Sequence, residues 1–354
     1  MCSVTCVIEL SSSNQFGDFD TGRLHSVISQ NGPFISNLKN WSSSNLRKCS
    51  RVRQLPQKLC CMKSLRELLI DGTGIYSICF PEGSLGNLEI LSACDCQYLQ
   101  DISTIGRLRS LSSLAMNVAD IDGLPYTVGF LQKLQRLSLR NCWKFSKLLT
   151  SIGKLELLEF TRLVWGYKEM IASDLSYLTN LKELLLKDAE QPEFEWPMRL
   201  LNLKIPNIEW IARLPSLETL QLSPPMVTNL PRNLGALTQL QELSLSYMKE
   251  LDLTRLPSTS SLSTLRLKHC MIQEPYLSGL KYLSELELDN YGLAKIGGLE
   301  NLKLLEVLEI SKCSITNLDG IKDLPRLRKV QVFSCDLASL LELRECKCGV
   351  DIRS

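Results

Sequence analysis

Histidine is close to absent from this chain of 354 residues, with His25 and His269 the whole supply. That removes most general acid–base and metal-ligand chemistry, which relies on imidazole more than on any other side chain. His269 adjoins Cys270, but neighbours in a strand point to opposite faces, so the two do not form a nucleophile–base pair. A Gly-x-x-x-x-Gly-Lys-Ser/Thr phosphate loop is missing, so no nucleotide switch is read in the chain. Long apolar runs are missing as well, and no segment reads as a membrane span. Met1 to Leu10 lacks a basic start and Glu9 interrupts its apolar run, so no secretory signal is expected. Neither sign of charge is in excess: 40 Lys and Arg face 38 Asp and Glu. A duplex nucleic-acid binder that neutralises phosphates needs a strongly basic face, which this balance argues against while leaving room for local basic strips.

Cysteine is the exception to this scarcity, at fourteen. Six of them, Cys49, Cys96, Cys142, Cys270, Cys313 and Cys335, share one offset in a repeating pattern, as small buried side chains with a weak donor would. That use favours a reducing compartment. The close pairs Cys60/Cys61, Cys94/Cys96 and Cys346/Cys348 lack the second cluster that structural zinc needs. Asn40-Trp41-Ser42 is the single glycosylation sequon, few for a secreted protein of this length.

The pattern is plainest from Leu305 to Ile315, where apolar residues fall at offsets 0, 3, 5, 8 and 10. That spacing suits neither a 3.6-residue helix nor a long strand. Leu308-Glu309-Ile310 reads as a very short strand with two side chains inward and one outward. Related units start at Leu65, Leu88, Leu111 and Leu134, 23 residues apart each time. Others start at Leu155, Leu181, Leu217, Leu240, Leu262, Leu283 and Leu327, with a partial unit at Trp41 and a degenerate one at Met198. The start at Leu155 is preferred because Leu157 would put Arg162 in the core. Leu-Pro pairs such as Leu124-Pro125 and Leu324-Pro325 mark the returning segments, which are expected to be extended or short 3₁₀ turns. No unit buries its leucines alone, so stacking must make the core continuous.

The organisation expected is an atypical segment over 1–40, disordered or a poor cap, then about 13 or 14 repeats over 41–340 and a short charged tail over 341–354. The pattern LxxLxLxx(C/N)xL is that of leucine-rich repeats. It implies an α/β solenoid, a curved horseshoe with a concave parallel sheet of short strands and irregular or 3₁₀ convex segments. Ser64-Leu65-Arg66-Glu67-Leu68-Leu69-Ile70, Leu88-Glu89-Ile90-Leu91-Ser92-Ala93-Cys94-Asp95-Cys96 and Leu178-Thr179-Asn180-Leu181-Lys182-Glu183-Leu184 resemble the repeats of plant nucleotide-binding leucine-rich-repeat resistance proteins of the Toll/interleukin-receptor type. The resemblance implies a cytoplasmic or nuclear module of plant defence, whose partner is a pathogen effector or the nucleotide-binding domain of an immune receptor. The chain carries neither the nucleotide-binding nor the Toll-type domain, and reads as a truncated gene product or an isolated recognition module. Two alternatives stand beside this. One is an extracellular receptor ectodomain, although the Gly-x-Ile-Pro turn usual there is missing. The other is a ubiquitin-ligase substrate receptor, because Cys313 to Ile321 resembles the repeats of F-box proteins.

No catalytic residue, cofactor or metal is expected. What remains is the exposed strand face, with residues from successive units about 4.8 Å apart. Arg140, Arg162, Lys187 and Lys204 should make its centre basic. Arg266 and Lys268 follow, and Glu287, Asp289 and Glu309 turn it acidic further on. Tyr247 and Phe333 are candidate aromatic anchors, with Trp143 either an anchor or a core residue.

Overall fold

Each repeat becomes one short parallel strand and one return segment, many of them 3₁₀ turns, in the computed structural model of the chain. The structure describes residues 43–55, 57–142, 144, 150–165, 176–188, 208–223, 230–248 and, within 251–353, all but 252, 254–255, 257–260, 271, 273, 291, 316–317, 336–342 and 344–347. The chain divides into two units, 1–178 with 189–194 and 179–188 with 195–354.

In the first unit the strands are β1 (Ser43–Asn45), β2 (Glu67–Leu69), β3 (Ile90–Ser92), β4 (Ser113–Ala115), β5 (Arg136–Leu139) and β6 (Phe160–Trp165), paired in chain order. In the second they are β7 (Glu183–Asp188), β8 (Thr219–Leu222), β9 (Glu242–Ser246), β10 (Thr264–Lys268), β11 (Glu285–Asp289), β12 (Val307–Ser311), β13 (Lys329–Phe333) and β14 (Gly349–Arg353), again in order. The register stacks leucine on leucine: Leu243, Leu265, Leu286, Leu308 and Val330 form one inward column. Leu245, Leu267, Leu288, Ile310 and Val332 form the other. Every member of both columns is 2 % exposed or less.

The return segments close with i→i+3 bonds, among them Leu108 N–H to Ile105 C=O and Leu302 N–H to Leu299 C=O. A 3₁₀ turn suits them because three residues bring the next leucine back over the same face. Glycine recurs there where repeats press together. A Cβ on Gly129 would lie 2.8 Å from the Ser151 carbonyl oxygen, too close for any side chain. Among the described residues no helix is long and apolar enough to cross a membrane.

The strand-to-return corner explains the cysteines. At the residue before the shared offset the backbone turns left-handed: Asp95, Val118, Asn141, His269, Lys312 and Ser334 all have φ between 50° and 59°. That corner turns the next side chain inward, where it meets the carbonyls left by the preceding strand. The thiol of Cys96 donates to Ile70 C=O at 3.1 Å, and that of Cys142 to Met116 C=O at 3.0 Å. Cys270 and Cys313 reach Leu245 and Leu288 in the same way, at 3.5 and 3.6 Å. Thr73 holds the equivalent place with a hydroxyl, 2.8 Å from Ile70 C=O. A small side chain with one weak donor is what this position requires. Cys49 is buried at the first such corner and is disulfide-bonded.

Val118 is the misfit at these corners, a β-branched side chain at φ 59°. Left-handed backbone costs an L residue about 1–2 kcal/mol, and glycine returns part of that gain through its freedom in the unfolded chain. Val118→Gly is therefore expected to stabilise the protein by roughly 0.5–1 kcal/mol, read as a higher urea midpoint; a lower midpoint would show that the Val118 side chain contributes more packing than the corner costs.

Three expectations change. First, Leu137 pairs with Thr161 and Leu139 with Leu163, so the sixth unit starts at Leu158 and not at Leu155. Thr161 occupies a leucine position at 1 % exposure, its hydroxyl lacking a hydrogen-bond partner among the described residues. Arg162 stays out of the core even so, because it pairs with Ser138 in the outward column. Second, β7 pairs directly with β8, so no strand from the unit read at Met198 enters between them. Residue 198 itself lies outside the described residues, as do residues 1–40. Third, the charged segment after 340 contains β14, in register with β13. Thr161→Val removes an unpaired buried hydroxyl at nearly constant volume. It should raise stability by about 1 kcal/mol, and a loss in thermal denaturation would mean that the hydroxyl has a partner in solution.

Candidate functional site

Strand alternation gives each unit an outward face, with one column between the leucines and one on either side. In the first unit the middle column is Leu69, Ser92, Ala115, Ser138 and Arg162. Its side chains are mostly small, and the residues after the strands tie neighbouring repeats together. Asp71 Oδ1 accepts from the Ser92 hydroxyl at 2.5 Å and from the Cys94 amide at 2.8 Å. Asn117 repeats this two turns later with the Ser138 hydroxyl at 2.7 Å and the Arg140 amide at 2.8 Å. Asp71 and Asn117 thus serve the fold, although their column is outward. Arg140 keeps its backbone in this arrangement and its side chain half-buried.

The second unit carries more charge. Arg266 pairs with Glu242, with Glu285 at 3.6 Å and with Glu287 at 3.2 Å. Lys268 reaches Glu287 at 2.7 Å, and Lys312 reaches Asp289 at 3.4 Å. Of the residues read from the sequence as partner-binding, Arg266, Lys268, Glu287 and Asp289 are therefore engaged across strands within the protein itself. Glu309, half-buried between them and β13, has no ion pair or hydrogen bond among the described residues. The Phe333 ring faces the Arg353 guanidinium at 5.8 Å. Tyr247 stands at the edge of the same face, 43 % exposed, its ring stacked on His269 at 4.8 Å.

The predicted basic centre is not assembled in one described place. Arg140 and Arg162 belong to the first unit, and Lys187 is described only through its backbone in β7. Lys204 and Trp143 lie outside the described residues. Glu242 and Glu285 were not in the sequence reading, because they precede the first strand leucine, a position not counted as outward there. The alternation of the strand itself was the signal that could have found them. Asp351 and Arg353 were passed over with the tail.

Chemically the ladder cysteines are donors. Burial pushes the thiols of Cys142 and Cys270 up to about 11 and that of Cys313 to about 12. A nucleophilic cysteine needs the opposite shift.

No family model matches the chain. It is similar to a Leptospira interrogans leucine-rich-repeat protein of solved structure, at 22 % identity and a TM-score of 0.58 over 85 % of this chain and 81 % of that one. The functional domain of InlJ from Listeria monocytogenes, which includes a cysteine ladder, matches at 16 % identity and a TM-score of 0.57 over 90 % and 70 %. The fold is a leucine-rich-repeat solenoid. Among curated proteins, TMV resistance protein N of Nicotiana glutinosa is 27 % identical over 272 residues, 64 % of this chain. The match spans 23 % of that protein's length. The likeness to the two bacterial leucine-rich-repeat structures is one of fold alone.

Proposed function

We propose that this leucine-rich-repeat chain is a protein-recognition module, akin to the effector-sensing repeats of an intracellular plant immune receptor, and not an enzyme. The observation that carries this is the division of labour within each strand. Leucines and corner cysteines supply the stack from one side, while the outward columns hold, besides the residues that tie neighbouring repeats together, side chains the stack does not need. On the second unit these include Glu309 in β12 and the exposed Tyr247 after β9. Tyrosine offers a large contact area at low entropic cost, and such residues dominate binding energy at interfaces. The similarity to TMV resistance protein N supports a role in defence, with a pathogen effector or a receptor's nucleotide-binding domain as partner.

The test is a pull-down of candidate effectors and isolated nucleotide-binding domains with the parent chain, Tyr247→Ala, Glu309→Lys and Arg140→Glu. Tyr247→Ala is expected to weaken binding about 30-fold, the loss of an aromatic anchor. A partner indifferent to all three changes would place recognition off the strand face.

The disulfide at Cys49 favours a second reading, an extracellular receptor ectodomain. Thiol counting on the native protein separates the two: fourteen free thiols support the intracellular reading, and fewer support the other.

A further inference from the structure

Carboxylates are missing from one stretch of the sequence: none stands between Asp20 and Glu67, and residues 43–66 carry seven Lys and Arg. Of these, Arg47 pairs with Asp71 at 2.6 Å and Arg66 with Glu89 at 3.4 Å, both acids of later repeats. Lys48, Arg51 and Lys63 are exposed and have no ion pair among the described residues. Arg53 is used differently. Gly74 of the next repeat leaves room for its stem, since a Cβ there would lie 3.3 Å from Arg53 Cδ. The guanidinium lies over the Tyr76 ring at 5.5 Å and over the Tyr98 ring at 5.4 Å, and its Nη1 donates to the Tyr76 hydroxyl at 2.6 Å. The two ring centroids are 5.9 Å apart. One arginine thus joins three successive repeats, yet Tyr76 and Tyr98 stay 48 % and 52 % exposed, and Arg53 is exposed with them.

We propose that Arg53, Tyr76 and Tyr98, with Lys48 and Arg51 of the same first repeat, are a docking surface for an acidic segment of a protein partner. The cluster follows the corners, outside β1, β2 and β3, and stands independently of the strand-face reading. Tyrosine and arginine are the side chains that the centres of interfaces favour. Held against two rings, the guanidinium keeps its planar fork in one orientation, so less freedom is lost when it takes a carboxylate through two parallel bonds. The excess of positive charge supplies the attraction, and the held fork supplies the selectivity. Asp95 and Asp101, exposed in the third repeat, end the basic run. A nucleic acid is the poorer occupant. Bases stack on open aromatic faces, and the guanidinium already takes one face of each tyrosine.

The test measures fluorescence anisotropy of a labelled octaglutamate peptide with the full chain at low salt, where surface charges are weakly screened. The parent chain is expected to bind, and Arg51→Glu to weaken binding about 10-fold. Arg53→Lys and Tyr98→Ala conserve the net charge, yet each should weaken binding about 5-fold, because the fork or its support is lost. Lys322→Glu makes the same charge change as Arg51→Glu on an exposed lysine of the second unit, and should leave binding unchanged. No binding by the parent chain, an equal loss in Lys322→Glu, or indifference to either charge-conserving variant would overturn the proposal. Tighter binding of a single-stranded oligonucleotide, or a dimer in sedimentation that Arg51→Glu dissociates, would overturn it too, by naming a nucleic acid or a second copy as the occupant.

Discussion

Replacing Leu308 by alanine is expected to destabilise the protein by about 2–5 kcal/mol, the range for emptying a close-packed leucine site. Leu308 is fully buried in β12. Its column neighbours, Leu286 and Val330, are fixed on either side by the parallel register and cannot move in to fill the gap. In a repeat stack the damage also weakens both interfaces of the affected unit, because each repeat is held chiefly by its neighbours. Glu309→Ala serves as the control. It removes a charge from the opposite face of the same strand, and away from buried features such changes stay within about 0.5 kcal/mol. Urea unfolding of the two variants measures the contrast. A reversed contrast, with the larger loss in Glu309→Ala, would mean that the inward and outward faces have been exchanged, since a one-residue slip turns every side chain over.

That contrast was readable in the sequence because Leu305-x-x-Leu308-x-Ile310 repeats so often that only one register serves every copy. Legibility failed where one residue broke the code. At β6 threonine stands where leucine is expected, so Leu155, Leu158 and Phe160 offered a better-looking but displaced match. At β14 the inward pair is Val350 and Ile352, set among Gly349, Asp351 and Arg353, and composition pointed to a tail. The candidate site was harder still to read. Strand alternation identifies which residues face outward, but not which of them are taken. Arg266 meets Glu242, 24 positions back, and Glu287, 21 positions on, only because parallel register lays those strands beside its own. A charge count along the chain therefore marked Arg266 and Lys268 as open to a partner when their neighbours already held them. The exposure of Tyr247 was legible for the opposite reason: a large aromatic at a corner has no leucine slot to fill.

Alkaline pH is expected to unfold this protein earlier than a comparable one without corner thiols. Burial is the main cause that raises the thiols of Cys142 and Cys270 from an ordinary 9.0 to about 11. Both side chains are fully buried. Each thiol is neutral and donating in the folded protein, while in the unfolded chain it ionises near pH 9. Below pH 9 both states hold the proton and the ladder's contribution is complete. Between pH 9 and 11 the unfolded chain has lost the proton and the folded protein has kept it, so stability falls as pH rises. The slope is about 1.4 kcal/mol per pH unit for each thiol. Cys313, pushed further to about 12, extends the decline upward. Urea midpoints measured under reducing conditions from pH 8 to 11 should therefore drop steeply for the parent chain. Cys142→Ala should start lower, having lost a carbonyl partner, yet fall less steeply by about 1.4 kcal/mol per unit over the same interval. Lysines and tyrosines titrate in both proteins and cancel in the difference. Parallel slopes would mean that the Cys142 thiol ionises as readily folded as unfolded, and that it does not donate to Met116.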